Sequence, residues 1–147
     1  MKLTDVNLLL YAVDESSPHY RRARSWLEQS LSGSETFALA WSVLLAFVRL
    51  GTNPRVFELP LALEEALDLV DSWIAQPCAT VIPPTDRHSA LLRELLAPLG
   101  TAANLTADAH LAALAIEHGA ELYSADADFS RFPRLRWVNP LATSAER

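Results

Sequence analysis

Thr106-Ala107-Asp108-Ala109-His110-Leu111-Ala112-Ala113-Leu114-Ala115-Ile116-Glu117-His118-Gly119-Ala120-Glu121-Leu122-Tyr123-Ser124-Ala125-Asp126-Ala127-Asp128-Phe129 is the stretch on which the fold turns. Its first half is a helix by pattern, because Leu111, Leu114, Ala115 and His118 recur at i, i+3, i+4 and i+7. Gly119 stands where a left-handed residue closes a helix. The second half is short and extended: Leu122-Tyr123-Ser124 predicts a strand, and two acids, Asp126 and Asp128, follow it directly. A helix feeding a strand that ends in acids is a unit of an open α/β sheet, where ligands bind beyond the carboxyl ends of the strands.

The same alternation runs back to the start of the chain. Lys2-Leu3-Thr4 predicts an opening strand, and Asp5-Val6-Asn7 leads from it into the helical turn Leu8-Leu9-Leu10-Tyr11. Pro18 suits the first turn of a helix carried on by Arg21 to Leu31 and ended by Gly33. A strand is expected over Glu35–Ala40, then a helix over Val43–Leu50 capped by Ser42 and stopped by Gly51. A helix opened by Pro60 runs through Ile74, Thr80-Val81-Ile82 is the next strand, and Thr85 caps a helix to Leu96. Leu135-Arg136-Trp137-Val138 is the last strand. Strands alternating with helices predict a three-layer α/β/α sandwich around a mostly parallel sheet. One domain over residues 1–142 is the simplest organisation, with 143–147 a frayed tail.

Composition bounds the function. Half of the 147 residues are apolar, which argues for a real core. Cys78 is the only cysteine, so neither an intrachain disulfide nor a Cys-rich zinc site is possible, which suits a reducing cytosol. No apolar run approaches the roughly 20 residues of a membrane helix, so no membrane role is expected. A net charge of −6 is the wrong sign for a polyanion partner, unless part of it belongs to a site that cations neutralise.

Three acidic segments fall where an open α/β sheet binds ligands: Asp5 after the first strand, Asp126 and Asp128 after Leu122–Ser124, and Asp108 in the first turn of its helix. Singly, Asp108 reads as a helix-dipole partner and Asp126 and Asp128 as turn formers. Asp5 is harder to dismiss, since an unpaired buried carboxylate is costly. Gathered at one sheet edge the acids would repel one another without a cation. Mg²⁺ or Mn²⁺ is the natural choice, because hard ions prefer oxygen ligands. Asn7 is placed to orient Asp5 or a substrate.

Other constellations carry less. No Walker A, G-x-G-x-x-G, G-x-S-x-G or H-E-x-x-H occurs. His19, His88, His110 and His118 are scattered, and His110 reads as a packing or helix-surface residue despite its nearness to Asp108. Cys78 reads as a buried structural thiol. Trp26, Trp41, Trp73 and Trp137 lie in apolar contexts that predict packing, in the core or at an interface, rather than base stacking. Arg21, Arg22 and Arg24 read as a solvated helix face, while Arg49 and Arg55 are the better candidates for contact with a phosphate.

Thr4-Asp5-Val6-Asn7-Leu8-Leu9 resembles the D-x-N opening of PIN domains. Leu105–Ala115 resembles their third motif, and Leu122–Phe129 their last strand and D-x-D-F motif. Thr52-Asn53-Pro54-Arg55-Val56-Phe57 and Arg131-Phe132-Pro133 resemble a branch of the VapC toxins. The resemblance implies a Mg²⁺- or Mn²⁺-dependent endoribonuclease, the toxin of a type II toxin–antitoxin pair. Its products would end in a 5′-phosphate and a 3′-hydroxyl. It implies Asp5, Asp108 and Asp126 as catalytic metal-site residues, with Asn7 and Asp128 positioning the substrate. It also implies a homodimer, held inactive in the cytoplasm by a VapB-type antitoxin. One departure stands out: by its spacing Ala46 occupies the place of a usual Glu, and no acid lies between Glu35 and Glu58. The alternative is therefore a PIN fold that binds RNA or an antitoxin and cuts weakly or not at all. A phosphatase is disfavoured, because no D-x-D follows the first strand.

Overall fold

The computed structural model describes residues 1–143, so the expected tail lies outside the described residues apart from Thr143. Five strands, β1 (Lys2–Thr4), β2 (Phe37–Leu39), β3 (Ala79–Val81), β4 (Glu121–Tyr123) and β5 (Trp137–Val138), form one sheet in the order β3-β2-β1-β4-β5. Every pairing is parallel, with Leu3 opposite Ala38 on one side and Leu122 on the other. The central strands are apolar on both faces, as a covered parallel sheet requires: Leu3, Thr4, Phe37, Ala38, Leu39 and Leu122 are inaccessible to solvent.

Six helices make the crossovers. α1 (Val6–Val13) and α2 (Tyr20–Ser32) join β1 to β2. α3 (Trp41–Gly51) and α4 (Leu63–Ile74) join β2 to β3, and α5 (His88–Leu96) and α6 (Thr106–His118) join β3 to β4. α1 packs on α2 and α3, α3 on α4, and α5 on α6. Leu8, Leu9, Leu44, Phe47, Leu114 and Phe129 fill the space between helices and sheet. Phe47 meets Trp73 edge-on at 4.7 Å between centroids and ties α3 to α4, a pair worth about 1 kcal/mol beyond its burial. No helix among the described residues is long and apolar enough to cross a membrane.

The chain leaves β1 toward β2 and β3, then returns to lay β4 on the other side of β1. The order of the sheet thus reverses between β1 and β4, and the crevice beyond their carboxyl ends is the switch point of the fold.

Several helix boundaries differ from the sequence expectation, each for a local reason. Pro18 lies in a turn ahead of α2, because Asp14 captures the Ser16 amide and hydroxyl and Ser17 Oγ takes the His19 amide. Ser42 sits inside α3, whose N-cap is Ala40. Gly51 is the last residue of α3, and Thr52 caps it by donating its hydroxyl to Val48 O at 2.7 Å. Pro60 does not open α4: the Leu61 amide donates to Gly51 O at 2.9 Å, which holds the loop against α3, and the helix starts at Leu63.

Candidate metal centre

Asp5 is delivered by the junction of β1 and α1. Its amide donates to Tyr123 O of β4 at 2.9 Å, which fixes the residue at the switch point. Its carboxylate caps α1, with Oδ1 taking the Val6 amide at 2.7 Å. Oδ2 accepts from Ser124 Oγ, also at 2.7 Å. Burial foremost pushes the Asp5 carboxyl above the ordinary carboxylate range, the Ser124 and Val6 hydrogen bonds oppose it, and the charge of Asp126 adds to it.

Asp126 and Asp128 arrive at the end of β4. Asp126 is extended and caps a 3₁₀ turn over Ala127–Arg131, accepting the Asp128 amide at 2.9 Å. Asp108 reaches in from the first turn of α6. Asp108, Asp126 and Asp128 each place a carboxylate oxygen within 4.8 Å of the others. Asp5 lies outside that group but close enough to be felt electrostatically by Asp108. Burial, then Asp5, Asp126 and Asp128 in that order, push Asp108 up to about 6.

Four carboxylates gather around one crevice, and two of them, Asp5 and Asp108, are pushed toward protonation. Their donor set, oxygen only, fits a hard divalent ion. Among the described residues no basic side chain neutralises the group: the Arg131–Asp128 approach is 3.9 Å and solvent-exposed, worth little.

Asn7 and Ser124 organise the centre. Asn7 Nδ2 donates to Ser124 Oγ at 3.2 Å, and Asn7 Oδ1 takes the Ala125 amide at 3.4 Å. Ser124 Oγ also accepts the Asp126 amide at 3.0 Å. Ser124 is fully buried. It was missed among the candidate residues, although its position, two before Asp126 at the end of a strand, was the available signal.

Other candidates fall elsewhere. Arg22 donates to Leu141 O, Arg24 pairs with Glu28, and both leave the crevice alone. Cys78 is half-buried, its thiol against Leu31 O. Of the four tryptophans Trp41 alone is exposed, at 54%, outside the core. His110 is not an isolated surface residue: it belongs to a hydrogen-bonded group with His88 and Glu117.

The model of the PIN domain matches residues 2–135. The chain belongs to the PIN-domain family. As a PIN domain it is 48% identical over 142 residues to ribonuclease VapC37 of Mycobacterium tuberculosis, covering 97% of this chain and 99% of that one. Ribonuclease VapC33 of the same organism is 40% identical over 141 residues, covering 96% and 99%. Among solved structures, the PIN domain superposes on VapBC2 of Rickettsia felis bound to a promoter DNA fragment with a TM-score of 0.69 at 20% identity, covering 94% and 97%. DNA-bound VapBC of Salmonella typhimurium gives 0.65 at 20% identity, covering 95% and 97%.

Proposed function

We propose that this chain is a VapC-type toxin, a metal-dependent endoribonuclease of a type II toxin–antitoxin pair. The observation that carries the reading is the convergence of Asp108, Asp126 and Asp128 at the switch point, in a chain 48% identical to a named ribonuclease. The reading assigns Mg²⁺ or Mn²⁺ to those three carboxylates, with Asp5 beside them. When bound, such an ion supplies charge neutralisation and polarises a water or phosphoryl oxygen. Asp5 and Asp126 keep their geometry through Ser124, and Asn7 holds Ser124 and the Ala125 amide in place. The substrate is RNA in the cytoplasm, and the regulator is a VapB-type antitoxin. The similar solved structures are VapBC complexes, which supports that partner. A homodimer completes the reading, checked by light scattering.

The test is cleavage of structured RNA by the purified chain with Mg²⁺ or Mn²⁺. EDTA should abolish it, and Asp108→Asn and Asp126→Asn should each lower the rate by about a hundredfold or more, since a metal-bound charge is worth several kcal/mol in the transition state. RNA bound but left whole by the unaltered chain would sink the nuclease reading and favour the binding-only alternative that Ala46 suggests.

A further inference from the structure

Beyond the carboxyl ends of β2 and β3, next to the metal centre along the same sheet edge, lies a hollow of about 400 Å³. Trp41, Ser42, Ile82, Pro83, His110 and Leu114 line it. Its floor is apolar, one wall is the exposed Trp41, and its polar members are Ser42 and His110, the latter two residues from Asp108 on α6.

His110 is held by a partly buried chain of hydrogen bonds. The Glu117 side chain is 0% exposed and that of His88 12%. Glu117 Oε1 accepts from the Thr85 amide at 3.0 Å and the Thr85 hydroxyl at 2.6 Å, while Oε2 faces His88 Nδ1 at 2.6 Å. A carboxylate only accepts, so His88 Nδ1 carries the proton. In the neutral ring His88 Nε2 is then the acceptor, and it meets His110 Nδ1 at 2.9 Å. With His88 in that neutral form, His110 Nδ1 donates, which leaves its Nε2 as a lone-pair nitrogen with no protein partner among the described residues. The buried Glu117 carboxylate and the half-buried His88 thus orient one ring at the edge of a hollow.

We propose that this hollow is a nucleobase subsite for the RNA strand, in which the Trp41 indole stacks on the base and His110, positioned by His88 and Glu117, accepts a hydrogen bond from its edge. A flat aromatic face beside one acceptor matches what every base offers, a π face and an edge N–H. The first residues of α3 border the same hollow, so the positive end of that helix faces a phosphate flanking the base. An apolar docking patch for a protein has no use for a buried carboxylate that sets a histidine tautomer. The inference rests on the ribonuclease reading for its substrate class, and it is tested apart from cleavage.

Two RNA decamers of identical backbone, oligoadenosine and fully abasic, are titrated by fluorescence anisotropy against the full chain carrying Asp126→Asn. The preference for the base-bearing strand should fall about tenfold or more with Trp41→Ala and be largely restored by Trp41→Phe. His110→Ala and His88→Ala should each lower it about fivefold. Abasic binding should stay unchanged in all four. A preference that survives both Trp41→Ala and His110→Ala overturns the subsite. Equal losses on both decamers overturn it too, since a cluster that merely staples α5 to α6 would act that way. An altered sedimentation coefficient of Trp41→Ala, with the preference intact, would assign the face to a protein interface instead. Cleavage of total RNA by the unaltered chain, with and without EDTA, is run beside these titrations: its failure sinks the nuclease reading and leaves the decamer ratio to decide the subsite.

Discussion

Ser124 is the residue through which the centre is assembled. One fully buried hydroxyl donates to Asp5 and accepts from Asn7 and from the Asp126 amide. Ser124→Ala leaves those groups without partners, and a buried unsatisfied group costs about 1–3 kcal/mol. Urea unfolding should show a loss in that range, and Mn²⁺ titration should show weaker binding because Asp5 and Asp126 lose their shared anchor. Asp108 gives a prediction of opposite sign. Its carboxyl is pushed up to about 6 in the folded chain, above the ordinary 3.8. A carboxyl raised on folding costs no stability below the lower value and its full penalty above the higher one. In EDTA, Asp108→Asn should therefore raise the melting temperature at pH 7.5 and leave it nearly unchanged at pH 4. The gain, discounted for solvent screening of a partly exposed group, is about 1 kcal/mol. A melting temperature lowered at pH 7.5 would count against uncompensated repulsion at the crevice.

At the scale of elements, α6 shows how much the sequence discloses. Its apolar spacing and Gly119 placed both ends: Gly119 adopts φ +65° and donates its amide to the last turn. Nothing lies within 4 Å of a Cβ built there, so Gly119→Ala tests backbone strain alone. It should lower stability by about 1 kcal/mol in thermal unfolding without touching the site. The alternation of strands and helices, and hence the parallel sheet, was legible for the same reason, since short buried strands and amphipathic helices leave different periods. Helix starts were less so. Ser42, Pro18 and Pro60 are good opening residues, but α3 starts ahead of Ser42, and hydrogen bonds to Asp14 and to Gly51 O turn the backbone at the two prolines. Of the centre, the aspartates were visible because each follows an element end. Ser124 was not, since a buried serine in a strand leaves no charge or period to notice. The His88–His110–Glu117 group was also hidden: i, i+7 on α6 is visible, but the arrival of His88 between them depends on how α5 packs.

Across the whole molecule, a net charge of −6 must coexist with a polyanionic substrate. Most basic side chains are already engaged, Arg22 by Leu141 O, Arg87 by Glu117 O, Arg134 by Glu94 and Arg136 by Gly119 O. Arg49 and Arg55, exposed on and just after α3, are the cations best placed for RNA phosphates. With so few contacts, log affinity for single-stranded RNA should fall against log salt with a slope no steeper than about −2, at roughly 0.7 per phosphate neutralised. A slope near −5 in anisotropy titrations would mean that a larger basic surface has gone unrecognised. The order of the sheet has one more outcome. Asp5 and Ser124 are partners across 119 positions, and β1 receives β4 only after three crossovers have been made. A nascent polypeptide emerging from the ribosome therefore carries an inert half-site through most of its own synthesis. A chemistry directed at RNA is withheld from the translating machinery until the closing strand has docked.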